Sequence, residues 1–170
     1  MALVRRELGD SAKAAHSLLV GSIMRKLADR FQADTKLWEI VGILHDLDFP
    51  ATESDLARHG LVTVQMLGDS LPPEALQAIA AHDHRTGVQA DSLLAQSLRA
   101  ADALADIASH VPTGELAQLV GPGEDAYAAL CERLGQRAYL SDMLQEYTRT
   151  CGLTFTDLKA MLAAAMNRSS

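Results

Sequence analysis

Apolar residues recur at three- and four-residue spacing through five successive segments of the first 110 residues, and this helical period restricts the fold more than any other feature. In the first segment, Leu19, Val20, Ile23 and Leu27 share one face of a helix, and His16 lies on that face as well. The pattern predicts helices at about 10–32, 34–45, 53–67, 74–82 and 91–109.

The third of these helices is expected to present one common face, formed by Leu56, His59, Val62, Thr63 and Met66. Before it, a turn is expected at 48–50, because proline disfavours helical conformation in the residue that precedes it. The first helix is expected to be capped by Asp10 or Ser11, and the last helix by Thr154.

The core of this chain must be aliphatic, since 48% of its 170 residues are hydrophobic but only 4% are aromatic. Ala and Leu favour helix over strand. Three more helices are expected, at about 125–134, 136–148 and 154–166. We therefore predict an all-α fold, a single-domain bundle of about seven to eight helices over 1–170, with its core at about 10–110 and C-terminal helices at 111–166.

Charge and cysteine content restrict the partners. The formal net charge of −7 argues against a nucleic-acid polymer as ligand. No apolar stretch approaches the roughly 18 residues of a membrane span, no signal-peptide pattern is seen, and two cysteines do not form a disulfide framework. We expect a cytoplasmic protein without membrane contact. An apolar stripe in the last helix either packs on the bundle or supports a homodimer; it consists of Leu158, Met161, Leu162 and Ala165.

His45 and Asp46 end the apolar run of the second predicted helix. An ionised carboxylate near a core costs several kcal/mol unless it is paired, and a divalent cation is one suitable partner. Other imidazoles and one more carboxylate lie on inward helical stripes or next to them; these are His16, His59, His82, His84 and Asp102. Each alone is more often an ordinary core or surface residue. Together they indicate a shared metal ion, because neutral imidazole and carboxylate are ligands that divalent transition metals favour.

The order His16, His45-Asp46, Asp102 resembles the signature of the HD superfamily of metal-dependent phosphohydrolases. The resemblance covers about residues 10–110 and extends to three local sequences, HSLLVGSIMRKLA, VGILHDLDF and RAADALADI. The chain is also similar to small stand-alone HDIG-type proteins, although Leu47-Asp48 stands where their motif has Ile-Gly.

The resemblance implies four primary metal ligands, namely His16, His45, Asp46 and Asp102. It implies that His59 and His82 hold a second ion, so that one or two divalent ions bind, among Mn, Fe, Co, Ni, Zn and Mg. Asp83 stands before His84 where the cyclic-di-GMP phosphodiesterase branch has a doubled histidine, and the Gly-Tyr-Pro of that branch is missing after Gly87. This departure argues against cyclic-di-GMP as the substrate.

The activity implied by the resemblance is hydrolysis of a small phosphate ester, a nucleotide-like mono- or diester, by metal-activated water. Asp46 would bridge the ions or orient that water, which makes it the expected catalytic residue. Substrate phosphate would be clamped by Arg58, Arg85 and Arg99, with Lys13 and His84 as further candidates. For each arginine, the alternative is a solvated surface side chain.

Two other functions stay open at this point. Some HD-fold proteins hold two irons and oxidise their substrates, which His59 and His82 would permit. A non-catalytic signalling or binding module is the third possibility, although the complete set of histidines and aspartates disfavours it. Asp48 and Glu53 flank the motif, as general-acid candidates or as ordinary loop and helix-end charges.

Overall fold

The computed structural model describes residues 2–119 and 123–167, and these ranges contain helices and turns but no strand. The all-α prediction is therefore confirmed. Eleven α-helices lie in the described ranges, more than the sequence pattern predicts. Their bounds are α1 Ala2–Leu8, α2 Ala12–Phe31, α3 Thr35–Leu44, α4 Phe49–Thr52, α5 Leu61–Leu67, α6 Pro73–Ala81, α7 Leu93–His110, α8 Thr113–Gln118, α9 Gly123–Leu134, α10 Tyr139–Cys151 and α11 Phe155–Met166.

The additional helices α1, α4 and α8 are all short, between four and seven residues. A helix of one or two turns contains too few apolar positions to establish a period in the sequence. In α1, for example, the buried residues are Val4 and Leu8, one turn apart, and a single pair does not define a helical period. Within the expected C-terminal region, residues 120–122 lie outside the described part of the chain.

The predicted helix over 53–67 is wrong. The chain instead forms a 3-10 turn at Leu56–Arg58 and begins α5 only at Leu61, because Gly60 has a φ of +84° that no α-helix accommodates. His59 therefore ends the 3-10 turn in extended conformation and does not lie on a helical face. Met66 is 40% exposed, so the expected common face does not form either.

The helix starts predicted from capping residues are confirmed. Ser11 Oγ accepts a hydrogen bond from the amide of Ala14 at the start of α2. Thr154 and Asp157 form a reciprocal capping box at the start of α11. Each cap satisfies amide groups that have no partner within their own helix.

The close approach of α2 and α3 depends on two glycines that face each other. A Cβ atom on Gly42 would lie 2.7 Å from the Cα of Gly21, and a Cβ on Gly21 would lie 2.5 Å from a side-chain carbon of Ile43. Gly21 lies five residues after His16, and Gly42 lies three residues before His45. The contact therefore sets the distance between the two helix segments that carry these histidines.

The chain divides into two compact units, Met1–Ala101 and Asp102–Ser170, and α7 runs through the division without a break. In the second unit, the Tyr127 hydroxyl lies 2.7 Å from Thr148 Oγ1, and its ring stacks at a tilt against Phe155. Leu158, Leu162 and Ala165 of the C-terminal stripe are buried. The single-domain and homodimer expectations both stay predictions.

Among the described residues, no helix combines the length and the apolar character that crossing a bilayer requires.

Candidate metal centre

The side chain of Asp46 lies at the centre of four histidine rings. Asp46 is 1% exposed and directly follows the C-terminal cap of α3, His45, which is fully buried. Its Oδ1 atom is 2.9 Å from His59 Nε2, 3.3 Å from His45 Nε2 and 3.6 Å from His82 Nε2. Its Oδ2 atom is 3.7 Å from His16 Nε2. The two carboxylate oxygens therefore face different histidines.

Two groups of potential ligand atoms result, and in each group all the atoms lie within 4.8 Å of one another. The first group consists of His16, His45, Asp46 and Asp102. The second group consists of Asp46, His59 and His82, all buried. All six ligands expected from the sequence thus occur in these groups, and Asp46 belongs to both.

Backbone carbonyls fix the orientation of two imidazole rings. His45 Nδ1 donates to the carbonyl oxygen of Gly42 at 2.7 Å, and His82 Nδ1 donates to that of Ile79 at 2.7 Å. In both cases the carbonyl belongs to the residue three positions earlier, at the end of α3 or α6. A proton held on Nδ1 leaves the lone pair of a neutral ring on Nε2, which points toward Asp46.

A carboxylate performs the same task for His59. His59 Nδ1 lies 2.8 Å from Asp48 Oδ1, while Asp48 Oδ2 accepts hydrogen bonds from the amides of Gly60 at 2.8 Å and Thr63 at 2.9 Å. The Asp48 amide in turn donates to Thr63 Oγ1. Histidine ligands of metals are commonly oriented in this way by a second carboxylate. We therefore interpret Asp48 as the residue that positions His59, rather than as a general acid.

The electrostatics of the cluster favour ionised carboxylates. Burial by itself would raise the pKa of Asp46, but His45, His59, His82 and Lys13 together hold that pKa well below its ordinary value. Burial likewise opposes protonation of His59, yet its hydrogen bonds to Asp46 and Asp48 raise the pKa of His59 to about 9. The two carboxylates thus favour positive charge at His59.

The donor set fits a divalent transition metal. It combines imidazole nitrogens of fixed tautomer with carboxylate oxygens, the ligand types that such ions prefer. His45, Asp46, His59 and His82 are buried, whereas His16 and Asp102 are partly exposed. The Nδ1 atoms of His45, His59 and His82 are hydrogen-bonded, as in established metal sites. The shared carboxylate is compatible with one ion or with two.

Lys13 forms an ion pair with Asp46. Its Nζ atom lies 2.7 Å from Asp46 Oδ2 and 4.2 Å from the centroid of the Phe49 ring. The Lys13 side chain is 33% exposed, whereas that of Asp46 is only 2% exposed. Lys13 thus lies between solvent and the first group.

The candidate phosphate-binding residues differ in their surroundings. Arg58 is exposed and directly precedes His59. Arg85 is held by Asp83, to which its Nε donates at 2.9 Å. Arg99 is half-buried on α7, and its Nε atom is buried without a hydrogen-bond partner among the described residues. The side chain of His84 is 69% exposed and belongs to neither ligand group.

A cavity of about 540 Å³ lies away from the ligand groups, beside α1 and the first turns of α2. Its lining includes Val4, Arg5, Ala14 and Leu18, and none of the six candidate ligands lines it. Glu53, the other acid beside the motif, is exposed.

Sequence reasoning missed two features of this centre. One is the pairing of Asp48 with His59, for which the only signal was an acid two residues after Asp46. The other is Gly60, where an added Cβ would lie 2.7 Å from the Ile79 carbonyl oxygen and 2.9 Å from His82 Nδ1. Periodicity alone carries no information about such a contact between distant segments.

A comparison with protein families agrees with this geometry. The family model described as HD domain matches residues 14–107, more than half of the chain. No match was found among curated proteins or among solved structures. The matched segment includes all six residues of the two ligand groups, and the chain belongs to the HD domain family.

Proposed function

We propose that the protein is a metal-dependent phosphohydrolase that cleaves a small phosphate ester, a nucleotide-like mono- or diester. The observation that carries the proposal is the position of Asp46, which belongs to both ligand groups: its Oδ1 lies near His45, His59 and His82, and its Oδ2 lies near His16. A carboxylate that belongs to two groups of potential ligands would help to hold two cations if two bind, as in two-metal hydrolases. The proposed partner is a small phosphorylated molecule, not a nucleic-acid polymer or a membrane.

One or two divalent cations, among Mn, Fe, Co, Ni, Zn and Mg, would supply a water of lowered pKa and would polarise a phosphoryl oxygen. His45 and His82 contribute Nε2 lone pairs whose direction is fixed by carbonyl contacts. Asp46 remains ionised and orients the attacking water through one of its oxygens. Burial of these groups excludes bulk water, which strengthens each electrostatic interaction.

The assay for this proposal is turnover of a panel of phosphomonoesters and phosphodiesters with added Mn²⁺, Co²⁺, Ni²⁺ or Mg²⁺. We expect metal-dependent release of phosphate or of a monoester, and loss of this activity in Asp46→Asn. The control is Asp69→Asn, which removes an exposed carboxylate from another turn. Absence of turnover by protein that demonstrably contains metal would contradict the proposal.

Among the arginines, we propose Arg58 as the first contact for substrate phosphate. Its side chain forms no hydrogen bond or ion pair with the described residues, and it directly precedes a candidate ligand, whereas Asp83 already holds Arg85. Arg58→Ala should raise KM about tenfold, as expected for a lost charge-assisted hydrogen bond, with little effect on kcat. Arg30→Ala, at an exposed arginine of α2, serves as control. An unchanged KM would exclude this role.

A di-iron oxygenase is the second candidate, and the group formed by Asp46, His59 and His82 is the observation that favours it. Iron content near two per chain, with a visible absorption band after exposure to air, would support this function. Colourless protein that hydrolyses phosphate esters would exclude it. A non-catalytic module would be indicated by metal-free protein whose fold is indifferent to His45→Ala and Asp46→Ala.

A further inference from the structure

We propose that Lys13 is a built-in counter-cation at Asp46 Oδ2, which compensates the buried carboxylate together with the histidines around it and competes with a metal ion for the first ligand group. This inference rests on the metal site of the proposed function but not on the reaction. It concerns the state of the centre before a metal binds, and it makes Lys13 a determinant of metal affinity.

Lys13 and His16 both approach one oxygen of Asp46. Lys13 lies three residues before His16 on α2, so that both side chains project from the same side of the helix. Both reach the same atom, because Asp46 Oδ2 is 2.7 Å from Lys13 Nζ and 3.7 Å from His16 Nε2. A cation held by His16 and this oxygen would therefore be close to the ammonium group, and the two positive charges would repel each other.

The burial of Asp46 makes a compensating charge necessary. Asp46 is almost completely buried, and an ionised carboxylate in such a place requires a compensating charge. Among the described residues, Lys13 is the lysine or arginine side chain within salt-bridge distance of Asp46 Oδ2, and the other basic atom within 4.0 Å of that oxygen is His16 Nε2. The ammonium group is held over the Phe49 ring, 4.2 Å from its centroid, and this contact favours a cation in the same position.

The Lys13 side chain is also accessible to solvent. One third of the Lys13 side chain is exposed, so its long flexible stem connects the buried carboxylate with solvent. The ammonium group is thus able to leave Asp46 without any change in the backbone. Lys13 therefore combines a charge that stabilises ionised Asp46 with a flexible stem that allows a metal ion to replace it.

The test compares Lys13→Met with wild type by calorimetric titration of Mn²⁺ into chelator-treated protein at constant pH. Methionine approximates the shape of the stem but removes the charge. We expect Mn²⁺ affinity to increase about tenfold, the usual size of a charge-assisted hydrogen bond. In the metal-free state, the same variant should have a lower melting temperature than wild type. Added Mn²⁺ should raise the melting temperature of the variant by more than it raises that of wild type.

Two controls isolate the charge. Lys13→Arg should keep the affinity near that of wild type, and Lys36→Met, at an exposed lysine of α3, should change neither affinity nor melting temperature. If Lys13→Met is too unstable when metal-free, the double variant Lys13→Met/Asp46→Asn should recover stability, because no buried charge is left uncompensated.

Unchanged or weaker Mn²⁺ binding by folded Lys13→Met would overturn the proposal, and so would failure of the wild type to bind Mn²⁺. A variant that binds Mn²⁺ as the wild type does but shows a raised KM would identify Lys13 as a substrate contact instead. Tighter Mn²⁺ binding without any phosphatase activity would support the role of Lys13 and would count against the proposed hydrolysis alone.

Discussion

Single residues outside the ligand set determine how the ligands are held. Asp48 illustrates this, since one of its oxygens contacts His59 and the other accepts two backbone amides. Burial would raise the pKa of Asp48, but the hydrogen bonds from His59 and the amides of Thr63 and Gly60 lower it below the ordinary value. An ionised Asp48 therefore fixes both the direction of the His59 ring and the path of the chain around Gly60.

Asp48→Asn should weaken metal binding about 10- to 100-fold, the usual effect of losing a residue that orients a histidine ligand. The amide oxygen of asparagine can satisfy His59 or the two backbone amides, but not both, and its NH₂ group then faces another donor. Calorimetric Mn²⁺ titration measures the change. Asp55→Asn, an exposed carboxylate in the same loop, is the matched control. Equal affinities of Asp48→Asn and wild type would show that His59 needs no carboxylate partner.

At the scale of secondary-structure elements, irregular segments do as much as regular helices to assemble the centre. The long helix α2 carries His16, but His59 and His82 lie just outside helices, after a 3-10 turn and after α6. Gly60 joins these two segments, because its backbone passes directly beside the Ile79 carbonyl oxygen and the His82 ring. The interruption between α4 and α5 is therefore part of the site.

Gly60→Ala should destabilise the fold by about 2 kcal/mol or more, since it adds a steric clash to an unfavourable positive φ. Gly68→Ala is the matched comparison, because Gly68 also has a positive φ, of +51°, but an added Cβ would meet no atom within 4 Å there. We expect Gly68→Ala to lower the free energy of unfolding by about 1 kcal/mol. Urea unfolding of both variants measures their free energies of unfolding. Equal decreases for the two variants would show that the close contact of Gly60 with Ile79 and His82 does not affect stability.

The elements also show what the sequence was able to predict. Helices with several turns, such as α2 and α7, were predicted within a few residues, because their apolar period repeats often enough to be recognised. The break in the segment 53–67 could not be predicted in this way. It depends on a hydrogen bond from the Gly60 amide to Asp48 and on the close approach of Gly60 to the end of α6, which are contacts between separate segments. The candidate ligands can be recognised in the sequence because histidine and aspartate on apolar helical stripes are distinctive. The role of Asp48, which orients His59, cannot be recognised from its residue type.

For the molecule as a whole, metal binding and folding stability should be coupled. The potential ligands come from segments far apart in the sequence, and only the folded chain brings them together. Four of them, His45, Asp46, His59 and His82, are buried, so that a cation bound among them would be held by groups that solvent scarcely reaches. A cation that binds the folded state alone shifts the folding equilibrium toward that state.

Saturation with Mn²⁺ at about 100 times its dissociation constant should therefore stabilise the protein by about 2.7 kcal/mol. For a chain of this length, the melting temperature should rise by about 5–10 °C, and a chelator should reverse the shift. Asp46→Asn should abolish the shift because it alters both ligand groups at once, whereas Asp69→Asn should retain it. Scanning calorimetry with and without chelator measures the effect. Identical melting temperatures under the two conditions would mean that the buried cluster is stable through its own hydrogen bonds and holds no metal.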